Sequence, residues 1–405
     1  MKKAFLLFIS SALVLSLSAC GLPFVSEEEE TTEASVEEEP APVLDFSYTN
    51  ELLGLNNATV NRETLTEDNI NDAAVEYAAS MEEEYNLYDP APGTGYVRSD
   101  LTNEWIRSDT AVNRPIAVMI PNNVNSLPHY TLSKAGVLYE CNVEYEVTRL
   151  MAIYDDWTEL ERIGNIRSAR DYFVYWAMEW DPLFIHIGNI WYADEVLAAD
   201  GVDNINGAVY DKYYYRVTNE NRDYDQSAYI NGYSIKNAAS ALGYSTTHTS
   251  LYKPGHFSFA SKGNPTTLTD VNGHINATYV SLADAYPIDR PYFIYNSEDG
   301  LYYRYEFDIP HTDAQTGEQL SFDNIIIQNT YREYRQDGAY LIYRCHDTDS
   351  DGWFITRGTA VHVNWKKIGV FGTTKYYDDN GDEIILNQGK TMICIVEDGD
   401  PVTIQ

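Results

Sequence analysis

The sequence predicts an α+β chain in which a mixed α/β layer domain, residues 105–267, precedes a predominantly antiparallel β domain, residues 268–405. Two observations carry this expectation. Between Ile116 and Ala199 strand-like apolar runs are interleaved with helical stretches, the pattern of a layered α/β unit. After about Leu268 the texture changes to short β-rich runs separated by Gly-containing turn dipeptides, the pattern of hairpins.

The chain begins with a leader, residues 1–20. Lys2 and Lys3 precede an apolar run from Ala4 to Leu17, then Ser18-Ala19-Cys20. This is the charged, apolar and small-residue order of a secretory signal peptide, with cysteine where a bacterial lipobox puts it. The run is too short to span a bilayer well. Cys20 is therefore expected to become the mature N-terminus and to carry diacylglyceryl and palmitate-type chains. Two acyl chains anchor stably where one binds marginally and reversibly. The lipid bilayer is the first expected partner, and the extracytoplasmic face of the cell membrane the expected location.

Residues 21–104 read as an acidic tether with one or two helices. From Glu27 to Asp100 twenty acidic residues stand against Arg62 and Arg98, about half of the formal charge of -35. Ser26 to Pro42 has no apolar periodicity and too little apolar surface to order itself. Further on, Thr66 is placed to cap a helix whose Ile70, Ala73, Ala74, Tyr77, Ala78 and Met81 recur at helical spacing.

In residues 105–267, Ile116 to Ile120 reads as a strand that Pro121-Asn122-Asn123 breaks. Apolar residues take the odd positions from Val137 to Val147 and Glu140, Asn142, Glu144 and Glu146 the even ones, so a half-buried strand with a polar face is expected. Leu150 to Tyr154 and Leu183 to Ile187 read as buried strands, Ala169 to Trp180 and Asp194 to Ala199 as helices. In residues 268–405, strands are expected at Tyr292 to Tyr295, Tyr302 to Phe307, Ile325 to Gln328, Ala339 to Tyr343, Ala360 to Val363 and Met392 to Val396. Turns are expected at Glu298-Asp299-Gly300, Gln336-Asp337-Gly338, Asp351-Gly352 and Asp379-Asn380-Gly381.

The overall acidity excludes nucleic acid as a partner, because no basic stripe is present to neutralise phosphates. Past Cys20 the chain has Cys141, Cys345 and Cys394, so at most one internal disulfide can form. Cys345 with Cys394 is the expected pair if there is one, and three buried thiols are the equal alternative.

The runs RPIAVMIPNN from Arg114, LSKAGVLYECNVE from Leu132 to Glu144, Thr148-Arg149 and IGNIRSARDYF from Ile163 to Phe173 resemble the YerB-like lipoproteins, a two-part family of unknown function. The family's second part is resembled at GLYYR (Gly300 to Arg304), PHTD (Pro310 to Asp313), NIIIQ (Asn324 to Gln328), Trp365-Lys366 and NQGKT (Asn387 to Thr391). The resemblance implies a lipid-anchored envelope protein of a thick-walled, Gram-positive bacterium and supplies no reaction. It also implies Asp where Pro121 stands, a Gly pair where Tyr145-Glu146 stands, a second Gly at Asn189 and a Pro-His-Asn motif near Arg222 to Gln226. This chain lacks all four.

Candidate chemistry is sparse. Arg167 and Arg170 flank Ser168 just before a helical stretch and, with Arg149, offer guanidinium forks to a carboxylate or phosphate, unless they pair with Glu140, Glu144 or Asp171. Glu144 and Glu146 on one strand would project to the same face about 7 Å apart, within the range of paired glycosidase carboxylates. His186 ends a strand and could serve as a base. Asp347, Asp349, Asp351 and Gly352 copy the first half of a calcium loop, with Gly358 where the twelfth-position acid belongs, so calcium is the one cofactor suggested. Trp191, Tyr192, Tyr210 and Tyr213 to Tyr215 could stack on sugars or grip a partner if exposed. No Gly-x-Ser-x-Gly elbow, Walker loop or His-Glu-x-x-His helix occurs. Two readings follow. One is a non-catalytic binding or scaffold module that meets a membrane-bound envelope protein or a cell-wall glycan. The other is a hydrolase or transferase acting on envelope glycans.

Overall fold

The structure, a computed structural model, describes residues 65–218, 220 and 222–405; the leader, Cys20 and the tether up to residue 64 lie outside the described residues. Helix α1 (Asp72–Tyr88) comes first. It starts later than Thr66, because the Asn69 side chain closes a turn on the Thr66 amide at 2.7 Å and Ile70 N donates to Thr66 O at 3.0 Å. The helix docks through Ala74 and the Tyr85 hydroxyl, which donates to Phe259 O, while Asn71 Nδ2 donates to Pro254 O at 3.0 Å. A hairpin of β1 (Tyr96–Arg98) and β2 (Trp105–Arg107) follows. The last forty residues of the expected tether are thus folded structure.

The core is built on one mixed sheet. Its strands are β3 (Ile116–Asn122), β4 (Val137–Asn142), β5 (Thr148–Tyr154), β6 (Leu183–His186) and β7 (Asn204–Asn206) from the earlier segment. Helix α2 (Asp171–Ala177) precedes β6, and helix α3 (Gly232–Leu242) follows β7. The later segment supplies β8 (Tyr292–Asn296) and β9 (Leu301–Glu306) to a smaller sheet, and β10 (Asn324–Thr330), β11 (Thr348–Thr356), β12 (Thr359–Lys367), β13 (Thr374–Tyr377) and β14 (Thr391–Glu397) to the large one. The order across the large sheet is β12-β11-β10-β14-β4-β5-β3-β6-β7, with β13 and the short edge strand Ile275–Asn276 both on β12. The two segments join where β14 pairs in parallel with β4, Ile393 beside Tyr139, so they share one sheet. The fold is mixed and strand-dominated.

Period-two alternation sorts the side chains of β14 onto both faces: Ile393 and Ile395 enter one core, Met392, Cys394 and Val396 the other. Both faces are covered. Tyr172, Phe173 and Trp176 of α2 pack on the first; Ile235, Ala238 and Ala239 of α3, with Phe293 of β8 and Tyr302 of β9, pack on the second. This explains the main difference at β4. The strand ends at Asn142, and its expected solvent face is buried, with Glu140 at 0 % exposure, because the smaller sheet covers it. Glu144 and Glu146 lie beyond the strand in a single turn, not side by side on a polar face.

Three other differences have local causes. The expected helix to Trp180 is α-helical only to Ala177 and tightens to a 3₁₀ turn at Met178–Trp180. Helix α3 was not expected, although Asn231 caps it by accepting from Ser234 N at 2.8 Å and Gly243 closes it at φ +76°. Asp351-Gly352 is not a turn: both lie inside β11, and a Cβ on Gly352 would sit 2.0 Å from Ile327 O of β10. That glycine marks close strand approach. The turn falls at Arg357-Gly358, both left-handed at φ +48° and +77°.

Cys141, Cys345 and Cys394 are all buried and free. Cys345 belongs to one core and Cys394 to the other, on opposite sides of the sheet, so they do not pair. Burial pushes all three thiols up, Cys345 and Cys394 well above the usual range. A thiol-specific reagent is expected to leave Cys141, Cys345 and Cys394 unmodified in the native protein and to label all three after denaturation, with reductant leaving Tm unchanged.

Candidate functional site

Pairing of β3 with β5 sets Pro121 opposite Arg149 and Asn122 opposite Thr148. An extended segment runs alongside, fixed by Arg167 N donating to Met119 O at 2.9 Å and Ile187 N to Arg167 O at 3.0 Å. Beyond β4 the chain reverses through Tyr145 and Glu146, both left-handed at φ +64° and +58°, where the resemblance implies a Gly pair. Together these elements line one cleft with Asn123, Glu144, Tyr145, Arg149, Arg167 and Arg170. Tyr145 stands at its rim, 83 % exposed.

The three guanidinium groups are in different states. Arg170 forks onto Glu144, with Nε to Oε1 at 2.5 Å and Nη2 to Oε2 at 2.6 Å. Burial raises the Glu144 carboxyl, but the Arg170 bond and charge outweigh it and hold it below the usual carboxylate value. Arg167 pairs with Asp225 at 2.6 Å and stays about a third exposed. Arg149 is buried at 7 % exposure and donates Nη1 to Ser168 O at 2.5 Å; its Nε has no partner, and no carboxylate lies within 4.0 Å among the described residues. Burial, and then the neighbouring Arg170 charge, push its pKa down to about 9. Glu144 offsets this only in part, because its carboxylate is held by Arg170, and a buried charge without a direct counterion is costly. Ser168 contributes its carbonyl.

Glu140 is not in this cleft. It lies behind the floor, where both its oxygens accept from Arg304 Nη2 at 2.9 and 2.8 Å, and Asn122 Nδ2 and Thr148 Oγ1 bond Oε1, each at 2.9 Å. Arg304 also binds Glu306 at 2.6 Å and approaches Asp289 to 4.0 Å. Burial, then the Glu140 charge, raise the Asp289 carboxyl well above its ordinary value. His311 and His129 complete the group at a nitrogen-to-nitrogen distance of 2.9 Å. Sequence reading missed this cluster, although Arg304 ends GLYYR and His311 lies in PHTD.

The remaining candidates lie outside this cleft. His186 is buried, with Nδ1 2.9 Å from Gly188 O and Nε2 3.2 Å from Asn204 Oδ1. Burial lowers its pKa, and both ring nitrogens face oxygen atoms of the fold. The Asp347–Gly352 stretch does not form the expected calcium loop: Asp349 and Asp351 lie on β11, while Asp347 Oδ1 accepts from Gly369 N at 2.8 Å. Tyr214 is likewise anchored, donating to Ile205 O at 2.6 Å. Trp191 is 56 % exposed and packs against Tyr192 and Tyr340, at ring separations of 4.7 and 5.2 Å.

Asp351 has another task. It and Asp379, the latter 2.6 Å from Nδ1, flank His362 and raise its pKa to about 9. A base whose folded pKa is raised contributes stability that is complete below its unfolded value, about 6.5, and is lost as pH rises to about 9. Histidine NMR is expected to place the His362 midpoint near 9, and His362→Gln to flatten the loss of stability across that window.

A strand-dominated sheet built jointly by two sequence segments, with an arginine-lined cleft at the end of its central strands, is the type of molecule defined here. Residues 101–245 match the DUF3048 N-terminal domain and residues 280–393 the DUF3048 C-terminal domain, both described as protein of unknown function. The chain belongs to this two-part, YerB-like family. It is 27 % identical over 328 residues to a relative named "Putative lipoprotein YerB" from Bacillus subtilis (strain 168), covering 78 % of this chain and 91 % of the relative. The crystal structure of the YerB protein from Bacillus subtilis is similar with a TM-score of 0.66 at 24 % identity, over 76 % of this chain and 99 % of that one, which establishes likeness of fold. No helix among the described residues is long and apolar enough to cross a membrane.

Proposed function

We propose that the chain is a non-catalytic binding module, anchored through acylated Cys20 on the outer face of a Gram-positive cell membrane, that seats one anionic group of an envelope component in the Arg149 cleft. The observation that carries this is Arg149, a buried guanidinium with spare donors and no carboxylate partner. A carboxylate entering the cleft would supply the missing counterion. The net charge of -35 sets the ligand's character. A polyanion would be repelled, whereas a single carboxylate on a largely neutral sugar or protein surface would not. Trp191 and Tyr192 extend the surface beyond Tyr340, whose ring lies 6.0 Å from the Arg170 guanidinium, and offer flat area for a sugar ring.

The hydrolase or transferase reading needs two working carboxylates. Glu144 is forked onto Arg170 and Glu140 is sealed behind the floor, which favours binding. Tryptophan fluorescence during titration separates the sources of the carboxylate. A saturable response to N-acetylmuramic acid, with none to N-acetylglucosamine, is expected for a glycan; N-acetyl-aspartate amide tests a protein partner. Failure of both acids to bind would end the proposal.

A further inference from the structure

A second cleft, between helix α1 and the segment from Pro254 to Phe259, has no part in the chemistry above. Its volume is about 320 Å³, within the range of sites that enclose a small ligand. Val75 and Ala78 of α1 line it together with Phe257 and Phe259. Val75 is 43 % exposed although the neighbouring Ala74 is buried, so an apolar strip of α1 borders the cleft uncovered. The polar lining comes from elsewhere. The loop joining β1 to β2 supplies Asp100 and Asn103, and His256 stacks on Trp180 at 3.5 Å.

Three groups of this lining have hydrogen-bonding capacity left over. His256 is buried, and burial, with the charges of Lys375 and Lys367, holds its pKa well below the ordinary value, so the ring is neutral. A neutral imidazole carries one N–H and one lone pair. Neither nitrogen makes a hydrogen bond, and Glu179 comes only to 3.8 Å of Nε2. Asn103 is buried as well, and its Nδ2 has no acceptor. Asp100 accepts the Tyr252 hydroxyl through Oδ2, and no Lys, Arg or His nitrogen lies within 4.0 Å of its carboxylate among the described residues. Arg98 also lines the cleft but is bonded to Asp89 Oδ2 at 2.7 Å. The enclosing walls push the Asp100 carboxyl up to about 6; His248, itself 3.6 Å from Asp181, opposes this only through space, and the Asp155 charge adds to it. At pH 7 Asp100 is therefore an anion without a direct counterion.

We propose that this cleft binds an α-amino acid with an apolar side chain, either free or as the first residue of a peptide. An ammonium group brings three N–H donors and a positive charge, which suits Asp100 and the bare nitrogen of His256. The carboxylate or carbonyl next to it accepts from Asn103 Nδ2. The side chain covers the exposed strip of Val75 and Ala78. An inorganic cation would leave Asn103 and the apolar wall unsatisfied, and a purely apolar molecule would leave Asp100 unpaired.

The test is isothermal titration of the full-length chain, purified in detergent, with three probes. L-phenylalanine is expected to bind saturably at one site, and N-acetyl-L-phenylalanine, which lacks the ammonium, about tenfold more weakly or worse. L-phenylalanylglycine distinguishes the sources: binding as tight as phenylalanine or tighter assigns the site to a peptide N-terminus, and its exclusion assigns the site to the free amino acid. Asp100→Asn removes the charge at constant shape, and Asn103→Gly removes the amide while keeping a backbone that stands at φ +55°. Each is expected to weaken phenylalanine about tenfold or more, while Arg149→Met, in the other cleft, leaves it unchanged. If either variant does not fold, the wild-type comparison of phenylalanine with its N-acetyl form decides. No saturable binding of phenylalanine or the dipeptide, equal binding of the N-acetyl form, or normal binding by Asp100→Asn overturns the proposal.

Discussion

Arg149→Met is expected to abolish capture of the anionic ligand and, at the same time, to leave the free protein as stable as before or more so. The two effects have one origin. Arg149 sits in the cleft wall at 7 % exposure, bonded to the Ser168 carbonyl and to no carboxylate. Truncating a buried member of a charge pair across an interface costs about 2–5 kcal/mol of binding, a loss of roughly 30-fold to several thousand-fold. In the free protein that charge has no ion pair to lose: Arg170 opposes it, and Glu144, already forked onto Arg170, offsets it only through space. Replacing an unpaired buried ion with an apolar side chain of similar length removes a desolvation cost, so unfolding free energy is expected to rise by about 1 kcal/mol or more. Arg170→Met separates the alternatives, because it strands Glu144 and must lower stability. Chemical denaturation of both variants, without ligand, reads the difference.

The largest effect on folding is expected from Arg304→Met. Arg304 bonds Glu140 through two contacts and Glu306 through one, all at 0 % exposure. Its removal leaves those carboxylates buried without a cation, a change that costs about 3–5 kcal/mol. Against a total stability of about 5–15 kcal/mol this removes a large share, with Tm lower by roughly 4–7 °C for a folded unit of this size. The pH dependence has a definite sign. Without Arg304 the folded-state carboxyl pKa values lie above their unfolded ones, so stability returns as pH falls and those groups take up protons. Thermal melts of the variant at pH 7.5 and pH 5 check it: partial recovery at the lower pH is expected.

These two arginines also show what the sequence could and could not reveal. Arg149, Arg167, Arg170 and Glu144 lie within 27 residues of one another, and basic groups are conspicuous in so acidic a chain, so their convergence was legible. Which of them was free was not legible, because it depends on Asp225 and on the fork to Glu144. Glu140 looked like part of a solvent-facing strand edge. Its partner lies 164 residues away, on a strand of the smaller sheet, and alternation within β4 carries no information about what covers the other face. Glycines were ambiguous for the same reason: Gly352 serves close strand approach and Gly358 a left-handed turn, two needs that one residue type meets. Strand positions such as Ile325–Gln328 and Met392–Val396 were recovered, because a buried strand flanked by turn residues is a local signal.

The central claim is that Arg149 is the seat of an anion. Isothermal titration of N-acetylmuramic acid into wild-type protein and into Arg149→Met, with N-acetylglucosamine as the uncharged control, tests it most directly. The account predicts saturable one-site binding to wild type, no heat from the neutral sugar, and loss of binding in a variant that melts at the wild-type temperature or above. Equal binding by wild type and Arg149→Met, or no saturable binding to wild type, would contradict it.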